Sequence, residues 1–285
     1  MPFMNRRQAV CAALLALAFA FAAMPAGAQT IYNFSPVNQH SLQLSAAYWN
    51  PILDYVSARS GVKLRLKLGR TSAETTAGVL AGEADFAFTN HLFSPERVKL
   101  GWTVFGRRNV PAIAGQIIVP AESPIRTLGD LAGKDVAFPG PEALVAYKLT
   151  YAQLLTQKIE VKTVFAGNLD AAFSQMLSGR AVAMGTNSQM VTEYSAREGR
   201  TFRVLWTSPR LNDLALMASP RVPKAQVQAV AKAFTGMHLD PVGKQVLEQA
   251  AQVIQAKDAI SFIAASDADY AAYRDFYRQA PASLR

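Results

Sequence analysis

Cysteine is all but missing from this 285-residue chain: Cys11 is the only one. It lies inside an N-terminal apolar run rather than at its end, which makes it a poor site for lipid acylation. Beyond that run no thiol exists to form a disulfide, attack a substrate or bind a metal. Histidine is nearly as scarce, with three in all, and neither His40 nor His238 has metal-ligand spacing to His91. The catalytic and nucleotide-cradling patterns G-x-S-x-G, H-E-x-x-H and G-x-G-x-x-G are absent. Residues 129–134 miss a P-loop by one spacer residue and by the following Ser or Thr. Few nucleophile–base arrangements remain, so an enzyme is a remote reading. After the first 29 residues no apolar run approaches the roughly 20 residues that span a membrane. Lysine and arginine are scattered, with no block and no basic stripe interleaved with aromatics, which argues against nucleic acid as a partner. There is no internal repeat and no low-complexity stretch.

What is present begins with a leader. Arg6 and Arg7 form a basic start, residues 9–23 an apolar middle, and Ala26-Gly27-Ala28 a small-residue cleavage site. This pattern predicts a signal peptide over residues 1–28, removed on export to the periplasm. Without Arg6 and Arg7 the chain keeps 27 basic against 20 acidic residues. The surplus bears on solubility and encounter rather than on fold.

The mature chain alternates strand and helix signals. Residues 31–34 read as a strand. A helix follows, with Leu42, Leu44, Ala47, Trp49, Ile52, Leu53 and Val56 on one face and Gly61 as its stop. Residues 62–68 alternate apolar and basic side chains, the period of a half-exposed strand. Thr71, Ser72 and Glu74 have capping-box spacing, which places a helix from there to Gly82. Residues 84–88 form the next strand, with Thr89-Asn90-His91 beyond its end. The order β-α-β-α-β predicts a parallel, helix-flanked sheet. The run 113–119 is read as the passage to a second lobe.

Residues 128–141, L-G-D-L-A-G-K-D-V-A-F-P-G-P, open that lobe: an apolar turn stopped by Gly133, a buried strand over 136–138, then a Pro/Gly loop. A helix over 142–157, a strand over 162–165, a helix over 169–177 and strands over 181–184 and 202–206 should follow. Residues 209–213 return to the first lobe, 214–219 re-enter its sheet, and Pro223 starts a helical tail. The expected architecture is α/β with two lobes, each a mostly parallel sheet flanked by helices, and a cleft between them. Lobe 1 is residues 29–112 and 208–285, and lobe 2 is 113–207.

Residues 32–36, the run Trp49-Asn50-Pro51-Ile52-Leu53-Asp54-Tyr55, Gly61-Val62, the run 82–90, the segment 128–141 and the crossing 209–213 together resemble PhnD-type binding proteins for phosphate, phosphite and phosphonate. These are type II periplasmic binding proteins of ABC transporters, and the resemblance spans most of residues 31–250. It implies a hinged cleft that captures a small, polar or oxyanionic ligand by closure. It implies a membrane permease as partner, with a sensor kinase as the alternative, and a monomer that needs no cofactor and no metal. Phosphonate-binding members carry a hydroxyl loop after the second-lobe strand. The matching positions here are Ala143, Leu144 and Val145, preceded by Glu142. The histidine of the next helix start corresponds to about Leu169, and an aromatic at the first crossing is replaced by Ala114-Gly115-Gln116.

Ligands of open α/β sheets lie beyond the carboxyl ends of strands. The candidate ligand-binding residues are therefore Asn38 and Gln39, Thr71, the trio Thr89, Asn90 and His91, Pro141 and Glu142, Asn168, Thr186 and Asn187, and Asp213. Thr71 also suits a helix cap and Glu142 a first helical turn. A ligand-facing Glu142 would repel an anion and welcome an amine. Trp49, Trp206 and the series Tyr270, Tyr273, Phe276, Tyr277 have the spacing of packing faces.

Overall fold

Alternating strand and helix signals become two sheets in the computed structural model, which describes residues 30–285; the expected leader lies outside them. The first sheet has the order β11-β4-β10-β3-β1-β2. Its strands are β1 (Ile31–Pro36), β2 (Lys63–Leu66), β3 (Phe86–Thr89), β4 (Thr103–Arg108), β10 (Ala215–Ala218) and β11 (Phe262–Ile263). The second has the order β7-β6-β8-β5-β9. It consists of β5 (Ile113–Pro120), β6 (Asp135–Phe138), β7 (Lys162–Phe165), β8 (Ala183–Asn187) and β9 (Phe202–Leu211). Strands β1, β2 and β3 pair in parallel, as do β6, β7 and β8, whereas β10 and β5 join their sheets antiparallel. Each lobe thus has a parallel core extended by the segments that pass between lobes.

Helices α1 (Leu42–Ser60) and α2 (Ser72–Leu80) flank the first sheet. Gly61 closes α1 at φ 70°, a left-handed cap that glycine adopts without strain. Thr71 caps α2 through the Glu74 amide. The capping box differs from expectation by one residue, because Glu74 reaches back to the Arg70 amide at 2.9 Å. Trp49 and Ile52 of α1 pack with Phe34, Phe88, Phe234 and Phe262 into the main core. Lobe 2 is built around Ile118, Phe173 and Met184 on one side of its sheet and Ile117, Val136 and Phe138 on the other.

Three stretches depart from the pattern reading. The run 113–119 is itself a strand, β5, set between β8 and β9, and the passage between sheets is the short segment 109–112 before it. Strand β9 continues to Leu211 because residues 207–211 keep pairing with β5, leaving 212–214 as the return. The helix expected from residue 142 begins as a π-type turn, Leu144–Lys148, and becomes regular only at α3 (Leu149–Thr156). Strand β4 and a helix over Ser188–Glu198, here α4, had no counterpart in the pattern.

That π-turn rests on two glycines. A Cβ at Gly115 of β5 would lie 2.6 Å from the Val145 carbonyl oxygen, and one at Gly185 of β8 would lie 2.2 Å from that of Ala146. Only glycine lets the turn come down onto the sheet. The seating pushes Leu144 and Val145 out of lobe 2 and into an apolar cluster with Phe93, Ile113, Tyr270, Tyr273 and Tyr277.

Candidate functional site

The ends of β1, β3 and β8, the start of α2, the π-turn and the return segment converge on a cavity of about 40 Å³ between the lobes. On this measure one water takes roughly 10–15 Å³, so the space is that of a very small solute. Its polar lining is Asn38, Gln39, Ser72, Asn90, His91, Asn187 and Asp213, and its apolar side is led by residues 143–146.

Most of these polar groups are already committed. Asn38 is buried, donating to the Gly69 carbonyl at 2.9 Å and accepting from Thr75 Oγ1 at 2.6 Å. Asn187 caps α4 through the Met190 amide. Asn90 hydrogen-bonds Tyr273, whose hydroxyl also donates to the Asn212 carbonyl. His91 shares a proton with Thr76 Oγ1 at 2.7 Å. Burial, reinforced by Arg97 and Lys148 against the pull of Glu142, depresses its pKa to about 3. The ring at the cavity is therefore neutral. Gln39, half-buried, has no side-chain hydrogen bond among the described residues.

Asp213 is different. It is 1% exposed, and Arg108 Nε donates to its Oδ2 at 2.5 Å. Its Oδ1 is buried with no hydrogen-bond partner among the described residues. A buried acceptor left unmade costs about 1–3 kcal/mol, more when charged. Asp213 is one of the residues that line the cavity between the lobes, so the acceptor short of a donor belongs to a wall residue.

The sequence from residue 34 to 270 matches the family of periplasmic substrate-binding proteins of ABC phosphonate transporters. The chain belongs to that family. Its task is accordingly to capture a solute and deliver it to an ABC permease. Among solved structures it resembles a binding-protein component of an ABC phosphonate transporter from Pseudomonas aeruginosa, at 17% identity over 88% of this chain and 87% of that one, with a TM-score of 0.75. It also resembles PhnD1 from Prochlorococcus marinus, solved with methylphosphonate, at 16% identity over 87% and 97% of the two chains and a TM-score of 0.70. A protein from Xanthomonas citri, solved with chloride ion, matches at 13% identity over 87% and 96%, TM-score 0.66. No curated protein matches significantly. No helix among the described residues is long and apolar enough to cross a membrane.

Within this binding protein the remaining candidates serve other ends. Thr71 caps α2, Thr89 Oγ1 accepts the His91 amide at 3.0 Å, and Asn168 caps the helix Leu169–Leu177. Pro141 is exposed while Pro139 lines the cavity. Thr186 is fully buried, its hydroxyl without a partner among the described residues, but it does not reach the cavity wall. Glu142 also stands off the cavity, paired with Arg97 of lobe 1 at 2.5 Å. Burial works against its ionisation, yet the Arg97 hydrogen bond and the charges of Arg97 and Lys148 hold its carboxyl below the usual range. Its charge is cancelled across the lobe boundary, so it neither repels an anion in the cavity nor greets an amine there.

Two further contacts bridge the lobes: His40 meets Asp170 at 3.3 Å, and the Ser72 amide donates to the Gly167 carbonyl at 2.8 Å. Ser72, Pro139, Ile113, Leu169 and Leu214 were not among the candidates. Ser72 sat one residue past a plausible cap, and the others are apolar, so no polar signal in the sequence singled them out.

Proposed function

We propose that the inter-lobe cavity is the solute site of this transporter component, with Gln39, Asn90, His91, Asn187 and Asp213 facing the solute. The orphaned Asp213 Oδ1 carries this reading: the solute brings a hydrogen-bond donor to that atom. Among the described residues no free cation lines the cavity. Arg97 is taken by Glu142 and Arg108 by Asp213, and His91 is neutral. The solute is therefore small and polar and carries at least one proton to donate, a requirement met by a protonated oxyanion or by an amine but not by a fully ionised phosphonate. The family name of phosphonate transport, and the methylphosphonate held by PhnD1, make methylphosphonate the first compound to try. The protein acts as a binder without catalysis, exported by cleavage after Ala28, which N-terminal sequencing of the periplasmic form would read directly.

The test is calorimetry of the mature protein against methylphosphonate, phosphite, phosphate and small amines across pH. A solute that donates to Asp213 should bind at least tenfold more weakly to Asp213→Asn, about 1.4 kcal/mol or more. Circular dichroism must first show the variant folded, because Arg108 loses its partner in it. Binding that is unchanged in the folded variant would remove Asp213 from the site.

A further inference from the structure

A cleft beside the hinge is more spacious than the inter-lobe cavity. A second cleft, of about 520 Å³, lies between the first crossing, helix α4 and the loop over residues 255–260 that leads into β11. Clefts that hold organic ligands run about 300–1,000 Å³. Its walls include Val110, Pro111, Ala112 and Ile260, and its polar lining includes Gln189 and Glu193.

Glu193 is the anomaly. It is only 7% exposed, one carboxylate oxygen accepts from Gln189 Nε2 at 2.7 Å, and no cation pairs with it among the described residues. Arg197, one turn on, is engaged by Asp170 and Glu198. Gln189 in turn accepts from Arg108 Nη2 at 3.5 Å, and Arg108 is bound to Asp213. The row Asp213–Arg108–Gln189–Glu193, buried except for the half-buried Gln189, thus holds two carboxylates and one guanidinium, leaving one negative charge uncompensated. Tyr48, packed against Arg108, adds none, because burial pushes its hydroxyl pKa up and keeps it neutral. The cations that line this cleft, Arg210 and Lys257, are exposed. A buried charge without a partner is costly, and a ligand cation can supply the missing partner.

We propose that the hinge cleft is a second ligand site, for an organic amine whose ammonium group meets Glu193 and whose apolar body lies along Val110, Pro111, Ala112 and Ile260. Such a ligand touches the crossing and both lobes, so its occupancy biases the hinge angle to the extent that its contacts differ between the open and closed forms.

Three probes of one shape and different charge test this: cyclohexylamine, cyclohexanol and cyclohexanecarboxylate, titrated into the mature protein by calorimetry. The amine should bind at least tenfold more tightly than the alcohol, and the carboxylate weakest. Glu193→Gln, which preserves shape and the bond to Gln189, should bring the amine down to the affinity of the alcohol. Ala196→Trp, on an exposed position of α4 that lines the cleft, should abolish binding of the amine in a protein of unchanged melting temperature. Equal binding of amine and alcohol, or an amine affinity indifferent to Glu193→Gln, overturns the proposal. So does amine binding that survives Ala196→Trp, which would put the amine elsewhere. Solute capture between the lobes stands or falls on the phosphonate and Asp213 titrations, independently of this cleft.

Discussion

His91 shows how far a single side chain is governed by its surroundings. In sequence it is a polar residue past a strand end, ready to be a ligand or a base. In the fold it is 3% exposed, and burial drives its pKa from 6.5 to about 3. The unfolded chain then binds a proton that the folded chain refuses between those values. Stability is complete above about pH 6.5 and falls as pH drops toward 3, by an amount on the order of a few kcal/mol. Urea midpoints from pH 7 to pH 4 should fall more steeply for the natural protein than for His91→Gln. Similar slopes would show His91 to be protonated in the folded protein. Asn38, Asn90 and Asn187 were legible as strand-end residues because the rule about ligand position depends on topology alone, and Asp213 as part of the return crossing. Thr71, Thr89 and Asn168 followed the same rule and went to helix caps and turns, since a short polar side chain satisfies the nearest free amide first.

At the scale of the element, the π-turn Leu144–Lys148 decides the character of the cavity. Sequence alone shows three apolar residues where the resemblance leads one to expect hydroxyls, but not where those residues go. The glycines at 115 and 185 let the turn descend, and Leu144 and Val145, 0% and 3% exposed, then enter the apolar cluster of lobe 1. Leu144→Ala should cost about 2–5 kcal/mol in denaturant unfolding, the ordinary range for a deleted core leucine. Gly185→Ala introduces a methyl against both the Ala146 carbonyl and the Phe138 ring, the latter 2.5 Å away. It should lower stability by about 1–3 kcal/mol through overpacking, read as a shift in urea midpoint. The tyrosines at 270, 273 and 277 had the spacing of a packing face, and all three are fully buried in that cluster. Tyr273 additionally holds Asn90, a role that spacing could not reveal.

For the whole molecule, the lobes are latched by Arg97–Glu142, by His40–Asp170 and by the backbone bond from Ser72 to Gly167, around the apolar plug. The ion pair is partly exposed, at 20% and 24%, so its worth is about 1 kcal/mol. Such a sum still matters for a hinge, because 1.4 kcal/mol changes a population ratio tenfold. Glu142→Gln should therefore shift solute-free protein toward the open form, seen as a larger radius of gyration in small-angle scattering. High salt should reproduce part of that shift in the natural protein and little in the variant. An identical radius in both would assign closure to the plug alone.

The sequence by itself determined the class of the protein. Strand and helix periods, glycine stops and the order of segments are local properties, and they led directly to two parallel-cored lobes, while the resemblance of runs such as 49–55 and 82–90 to PhnD-type proteins led to the family that the chain matches. Segments without a strong period, such as β4 and α4, were lost for the same reason. Only the tertiary structure decided what the polar residues do. Whether Glu142 faces a solute or an arginine, whether Asp213 keeps a free oxygen, and whether Glu193 is buried without a cation all depend on contacts between residues 45 to 105 positions apart or on burial by distant elements. Charge pairing and desolvation act through space, and the chain alone does not say which groups will meet.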